Sequence, residues 1–599
     1  MWDKLKRKVL VVVAILIMIC SIPKVVNAAP TVINVDSGPG FLQAINDINN
    51  GSETDYVINL TKNIDIYTES VVTIRRGNVT IIGNGHEITN ILGILVRSYL
   101  PPYPTLTLGK QDGSDILKIN GSYSGVEFTK SLFEARLGSV INMYSGVEIY
   151  NRAANDPDAV GVVFTVDNST INMYGGSIKN CSYLNASTSI HPMIYVHNKG
   201  TFNMSGGEIS DNSITNDSHM EFRSAAILIT SNAVANLTGG IITKNIITVN
   251  DDTLDTRGGA INVEDSTLNI SNMQITENEI LGGNNAYGGA IFASNSDVVI
   301  DNSIISNNKV SSINAIGGGI YVNNLTSLEI KNSFLDLNSA SNDSAFGGGR
   351  VYGGAIYTQT ANVLIDNSVI TNNKATKVVI NDGKGGGIYA TNSNLEIKDS
   401  LVAFNIASLE SADIQFEGEG AYFYLPNADA MNAKQPVPYT NAITGWYEDV
   451  STERWSPVNS TTPFTTLQND LISGQFKLVA GYENAVLMSY NPNGGQGSVY
   501  YQHIDINAKV KDNVAVDITR SGYNFIGWNT EADGSGIDYA VGANLTVADE
   551  GVILYAQWKD KPVTPDTGDI FNPNVFMSLM ILSGIGLVVL TKKYKNKEN

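Results

Sequence analysis

Cysteine is almost missing from this 599-residue chain, which holds two, Cys20 and Cys181. Cys20 falls in an N-terminal apolar run; once that run is removed, one thiol remains and no intramolecular disulfide can form. Basic residues are also scarce, 38 Lys and Arg against 58 Asp and Glu, for a net charge of −20. That balance argues against nucleic acid and anionic membrane surfaces as partners. Charged residues make up 16% of the chain, while Gly, Asn, Ser and Thr abound. The composition is that of a β-rich surface protein rather than a helical enzyme.

What is present is a repeat. From Arg257 to Asn405 one cassette returns, opened by Gly258-Gly259-Ala260-Ile261, Gly288-Gly289-Ala290-Ile291, Gly318-Gly319-Ile320, Gly353-Gly354-Ala355-Ile356 and Gly386-Gly387-Ile388. Each copy holds three short period-2 strands between Gly and Asn turns, with no helical periodicity. One such unit cannot bury its apolar face alone, but stacked units can. Three strands per turn of chain is the pattern of a right-handed parallel β-helix, here of about a dozen coils.

The alignment gives vertical columns. Met143, Met173, Met204, Leu237, Ile270, Ile300, Ile330, Ile365 and Ile397 form one. Five positions on, Ile178, Ile209, Ile242, Ile275, Ile305, Leu335, Ile370 and Val402 form an interior stack. In the Met143 copy that place falls on Glu148. Eight positions on stand Cys181, Asn212, Asn245, Asn278, Asn308, Asn338, Asn373 and Asn405. Asn tolerates left-handed turn backbone, and stacked amides bond between coils. The Gly pairs fit corners where a Cβ would clash.

Residues 1–28 have the basic, apolar and small-residue parts of a secretory signal, cleaved between Ala28 and Ala29. Gly40 to Asn50 has helical spacing and is expected to cap the first open coil. The β-helix with its cap is assigned to 29–425. Segment 426–485, where the repeat stops, is assigned to a β-rich cap or linker containing Trp446, Trp455 and Tyr482.

Residues 486–559 form a separate module. Arg520-Ser521-Gly522-Tyr523-Asn524-Phe525-Ile526-Gly527-Trp528 and the closing Leu554-Tyr555-Ala556-Gln557-Trp558 resemble the Listeria–Bacteroides repeat, or internalin B-repeat. The resemblance implies a small β-grasp-like domain of bacterial surface proteins. Bottom-up, Phe525, Trp528 and Trp558 are core aromatics. The coils of 30–425 resemble the pectin lyase-like β-helix proteins, from which only architecture is carried over.

Residues 560–599 resemble a sortase sorting signal. Thr564-Pro565-Asp566-Thr567-Gly568 precedes an apolar segment at 575–591 and a Lys-rich tail. Thr564 stands where the familiar motif has Leu. The apolar segment acts as a stop-transfer, with the basic tail cytoplasmic. The resemblance implies attachment through Thr567, with sortase and peptidoglycan as partners and a transient membrane helix.

No catalytic, cofactor-binding or metal-ligating residue is assigned. Enzymes on a β-helix need grouped acids and a base on one outer face. Here Asp297, Asp301, Asp343 and Asp366 are scattered, Arg350 sits in an insertion, and Gly85-His86-Glu87 lies outside the regular coils. The expected role is a wall-anchored surface protein that adheres to host or environmental glycans or proteins. The alternative is an anchored polysaccharide lyase or glycoside hydrolase.

Overall fold

The computed structural model describes residues 29–561 apart from 125–130, 155–161, 185–191, 217–221, 343–347, 378–382, 409–410, 436–441, 449–470, 483–485, 497–499, 505–506, 512, 514–515, 517 and 547–551. Both chain ends, with the signal cleavage position at Ala28 and the Thr564–Gly568 motif with the 575–591 segment, lie outside the described residues. No helix among the described residues is long and apolar enough to cross a membrane.

The chain winds into a parallel β-solenoid followed by a small sheet module. One coil shows the plan: Asp255–Arg257, Ile261–Glu264, Thr267–Ser271, Met273–Thr276 and Glu279–Gly282. These positions stack into ladders, here numbered 1 to 5 in that order. Ladders 2, 3 and 4 are the three expected strands; ladder 4 alone has twelve members. Ladders 1 and 5 are short additions, with six and nine members among the described residues, and side chains of ladder 1 pack against those of ladder 2 at the corner between them.

The column register is as the spacing predicts. Met143 pairs with Met173, and the series continues strand by strand through Ile270, Ile300 and Ile330 to Ile397. Every member is buried, because in period-2 strands alternate side chains share the inner face. One expected assignment is corrected. Ile149, not Glu148, pairs with Ile178, since the turn after Met143 holds one extra residue. Glu148 faces out and pairs with Lys179.

The corner glycines are required twice over. Gly288 has φ +68°, and a Cβ on Gly289 would lie 2.2 Å from the Gly318 carbonyl oxygen of the next coil. Of the two reasons expected for the Asn column, the amide bonds between coils hold and the left-handed backbone does not. The left-handed residues are those just before it, such as Glu277, Asn307, Leu337 and Asn372. The Asn residues are there for their amides. Asn278 Nδ2 donates to Asn308 Oδ1 (3.0 Å), and Asn308 Nδ2 to Asn338 Oδ1 (3.0 Å). Each also donates to a carbonyl of the preceding coil, for Asn308 that of Ile275 (2.9 Å).

The ends are covered. Helix Gly38–Asn50, capped by Ser37, buries Phe41, Ala44, Ile45 and Ile48 in the solenoid core. At the other end, strand Ile414–Tyr424 is long enough to start on ladder 2, Ile414 beside Ile388, and finish on ladder 3, Phe423 beside Leu395. Strand Leu471–Tyr482 then pairs antiparallel to it, and Ile443–Glu448 to that. Trp446 is buried there, its Nε1 donating to the Pro426 carbonyl (2.9 Å).

In the module, Val486–Asn491 and Tyr523–Asn529 flank Val552–Asp560, the first parallel and the second antiparallel to it. Trp528 is fully buried, 5.0 Å from the Phe525 ring and 4.8 Å from Tyr490, and its Nε1 donates to the Lys511 carbonyl (2.7 Å). The aromatics are core, as their spacing predicts.

Candidate ligand-binding surface

Where the last strand crosses from ladder 2 to ladder 3, it leaves a groove of about 480 Å³ on the outer face of ladder 3. Its floor follows from strand alternation. Asp297, Ser327, Asn362 and Asn394 form one outward column, and Val299, Glu329, Leu364 and Glu396 the next. Tyr422 and Tyr424 close the end, with Tyr422 half exposed.

The polar groups are held in place. Asn394 Nδ2 donates to Asn362 Oδ1 (2.7 Å), and the Tyr422 N–H to Asn394 Oδ1 (2.9 Å). Glu329 pairs with Lys331 and Glu396 with Lys398, both at 2.6 Å. Those bonds, outweighing slight desolvation, raise both lysine pKa values, so the lysines stay charged. Leu364 separates the two carboxylates, which stand two coils, roughly 10 Å, apart. Fixed acceptors, an amide pair and exposed phenols are the parts that bind hydroxyl-rich ligands.

A second cluster lies on the outer face of ladder 2 nearer the N-terminus. Arg136, Asp167 and His197 stack on consecutive coils. Arg136 Nε donates to Glu134 Oε1 (2.6 Å), and the His197 ring lies 4.4 Å from that of Tyr195. Burial depresses the His197 pKa; Asp167 opposes the shift and Arg136 adds to it. A neutral imidazole beside a carboxylate is competent as a general base.

The remaining candidates do not join either place. Cys181 is buried among the coils, and desolvation pushes its thiol pKa up to about 12. Asp301 and Asp366 accept from Asn332 and Ser368 through a side-chain and a backbone oxygen respectively, and Asp343 lies outside the described residues. The Arg350 backbone N–H donates to Asn314 Oδ1. His86 approaches Asn63 through Nδ1, and Glu87 accepts from Tyr150.

Sequence reasoning missed Arg152, because the extra residue in its coil moved it off the column. It takes the place of the Asn ladder, fully buried, with its guanidinium donating to the carbonyls of Ile91, Leu92 and Gly121. It also missed a stripe that the cassette does show, one residue after the Ile that follows each Gly pair. There Phe292, Tyr321, Tyr357 and Tyr389 stack with centroids 5.2, 5.1 and 5.4 Å apart.

Residues 488–557 match the Listeria-Bacteroides repeat domain. That match fits the module's sheet and aromatic core. Two proteins of Evansella cellulosilytica are also similar. One, carrying a membrane-protein name, is 31% identical over 128 residues, 20% of this chain and 18% of the relative. The other, named as a Gly-rich membrane protein, is 50% identical over 42 residues, 7% of this chain and 5% of the relative. The chain thus spans less than a fifth of either relative's length. No solved structure matches it significantly.

Proposed function

We propose that this chain is a surface-displayed binding protein, an adhesin whose solenoid carries the ladder 3 groove as its contact site for glycans. The groove carries the reading: its carboxylates are fixed by lysines, its amides are aligned, and Tyr422 stands exposed beside them. The Listeria-Bacteroides repeat and the membrane-protein names of the Evansella relatives support a place at the cell surface. A glycan array probed with the purified chain tests it. Tyr422→Ala and Glu396→Gln should each weaken the strongest signals; equal signals from both variants and the parent would defeat the groove assignment.

The manner of attachment is part of the same proposal. Sortase joins Thr567 to peptidoglycan, and the 575–591 segment holds the chain in the membrane until then. Parent protein is released by muralytic enzymes alone, and Thr567→Ala stays with the membrane or is shed. Full extraction of the parent with detergent would show an ordinary membrane anchor instead.

The stack of Arg136, Asp167 and His197 favours a second reading, a polysaccharide lyase or hydrolase with His197 as base. An unsaturated-uronate and reducing-sugar assay on pectins and mucin glycans separates the two. Turnover that disappears in His197→Ala supports the enzyme.

A further inference from the structure

The corner between ladders 1 and 2 changes character along the solenoid. From Phe292 onward it is filled by aromatic rings, with Tyr287, Ile316 and Tyr352 of ladder 1 packed against the stripe on ladder 2. One coil earlier the same positions hold Arg257 and Asn262, and on ladder 1 the coil before that holds Arg223. Arg223 and Arg257 are register partners, so their strands are neighbours and both side chains face the same corner. They share one acid: Arg223 Nη1 lies 2.9 Å from Glu264 Oε2, and Arg257 Nη1 3.5 Å from Glu264 Oε1. The Arg257 guanidinium also lies 5.4 Å from the Phe292 ring centroid. Asp255, on the same strand, is engaged by Asn285 Nδ2 (2.6 Å).

Asn262 is out of keeping with this packing. It is fully buried, and among the described residues neither its Oδ1 nor its Nδ2 has a hydrogen-bond partner; Glu264 Oε1 has none there beyond the long ion pair. A buried amide left with nothing costs about 1–3 kcal/mol. Its column neighbours are Leu228 and Phe292, so an apolar residue would fit. An unpaired buried donor and acceptor, at the corner where two guanidiniums share one carboxylate, calls for a partner.

We propose that this corner captures the free C-terminus of an extended peptide from a partner protein. The two guanidiniums take the terminal carboxylate, for which their geometry is suited. An extended residue presents its N–H and C=O on one side, and the amide of Asn262 satisfies both. Leu228 and Phe292 provide apolar surface for the last side chain. Arg223, Arg257 and Glu264 keep some exposure, their side chains at 29%, 27% and 17%, and Glu264 stands two residues from Asn262 on the same face of its strand. The incoming carboxylate draws the guanidiniums from Glu264 and opens the way to Asn262. The site is on another face from the ladder 3 groove and stands whether or not the groove takes glycans.

A randomised pentapeptide library presented with free C-termini, and the same library amidated at its C-termini, test this against the purified chain. Free-acid peptides are expected to be selected, and amidation to weaken the best of them at least about tenfold. Arg223→Gln and Arg257→Gln should each weaken that peptide about tenfold. Glu264→Gln, which removes the internal competitor, should tighten it. Asn262→Leu should raise the melting temperature and still lose affinity, which separates binding from folding. Selection indifferent to amidation, tighter binding of glucuronate than of any peptide, or full affinity in Arg257→Gln would each overturn the proposal.

Discussion

Asp413 is the terminal acceptor of the Asn405 amide ladder. Its Oδ1 accepts from both the backbone N–H (3.1 Å) and the Nδ2 (2.9 Å) of Asn405, the place that the next coil's Asn takes for Asn245, Asn278, Asn308, Asn338 and Asn373. Its Oδ2 accepts from the Ala480 N–H (2.8 Å) on the covering strand. Each ladder amide from Asn212 to Asn373 turns one Nδ2 donor toward this end and lends it to the next acceptor, so these bonds run in one direction and a negative acceptor is favoured where they finish, as with charges at helix ends. Arg152, at the opposite end, supplies the matching positive charge, one coil beyond Cys181.

Removing that acceptor should loosen the C-terminal cover. Asp413→Ala takes the acceptor from the Asn405 and Ala480 N–H groups and one of the acceptors of Asn405 Nδ2, and is expected to cost about 3 kcal/mol. Asp413→Asn keeps one acceptor oxygen and should cost less. Urea unfolding and limited proteolysis at the Leu471–Tyr482 strand measure both. An Ala variant as stable as the parent would show that the ladder does not secure this strand.

Inside the ladder, Asn308→Ala is expected to destabilise by about 1–3 kcal/mol. It removes three side-chain donor bonds and the oxygen that accepts from both the N–H and the Nδ2 of Asn278. Ligand binding per folded molecule should not change, because Asn308 is wholly interior. Thermal unfolding and array binding, run on the same preparation, check the two halves.

The Cys181 thiol should be inert while the solenoid is folded. Burial raises its pKa to about 12, so almost no thiolate exists at pH 8, and nothing of the residue is exposed. A chromogenic disulfide reagent should find no reactive thiol in the native chain lacking residues 1–28, and one after denaturation. Fast native labelling would contradict the burial of this coil.

The fold should weaken at alkaline pH. Tyr150 donates to Glu87, and that bond, with burial, raises its pKa from 10 to about 12. Burial likewise raises those of Tyr357 and Tyr389. A raised folded pKa gives stability that is whole below pH 10 and lost as pH climbs through the folded value. Melting temperature should therefore fall between pH 10 and 12, and less steeply in Tyr150→Phe. The same slope in that variant would remove Tyr150 from the account.

The sequence by itself determined the coils. An inward residue recurring every 30 to 35 positions leaves one way to bury every apolar face, and Ile270, Ile300 and Ile330 stack as the spacing requires. The module's aromatic core was legible for a similar reason, since Phe525, Trp528 and Trp558 have to meet one another to leave water. The outer surface was not legible in this way. Only the stacking of coils sets Tyr422 beside Asn394, through a strand that changes ladders, and only the corner between ladders 1 and 2 brings Arg223 and Arg257 to one carboxylate. Inward positions must satisfy burial and so keep a period that survives in the sequence. Outward positions answer only to what the tertiary corners place beside them, which is why the sites had to wait for the fold.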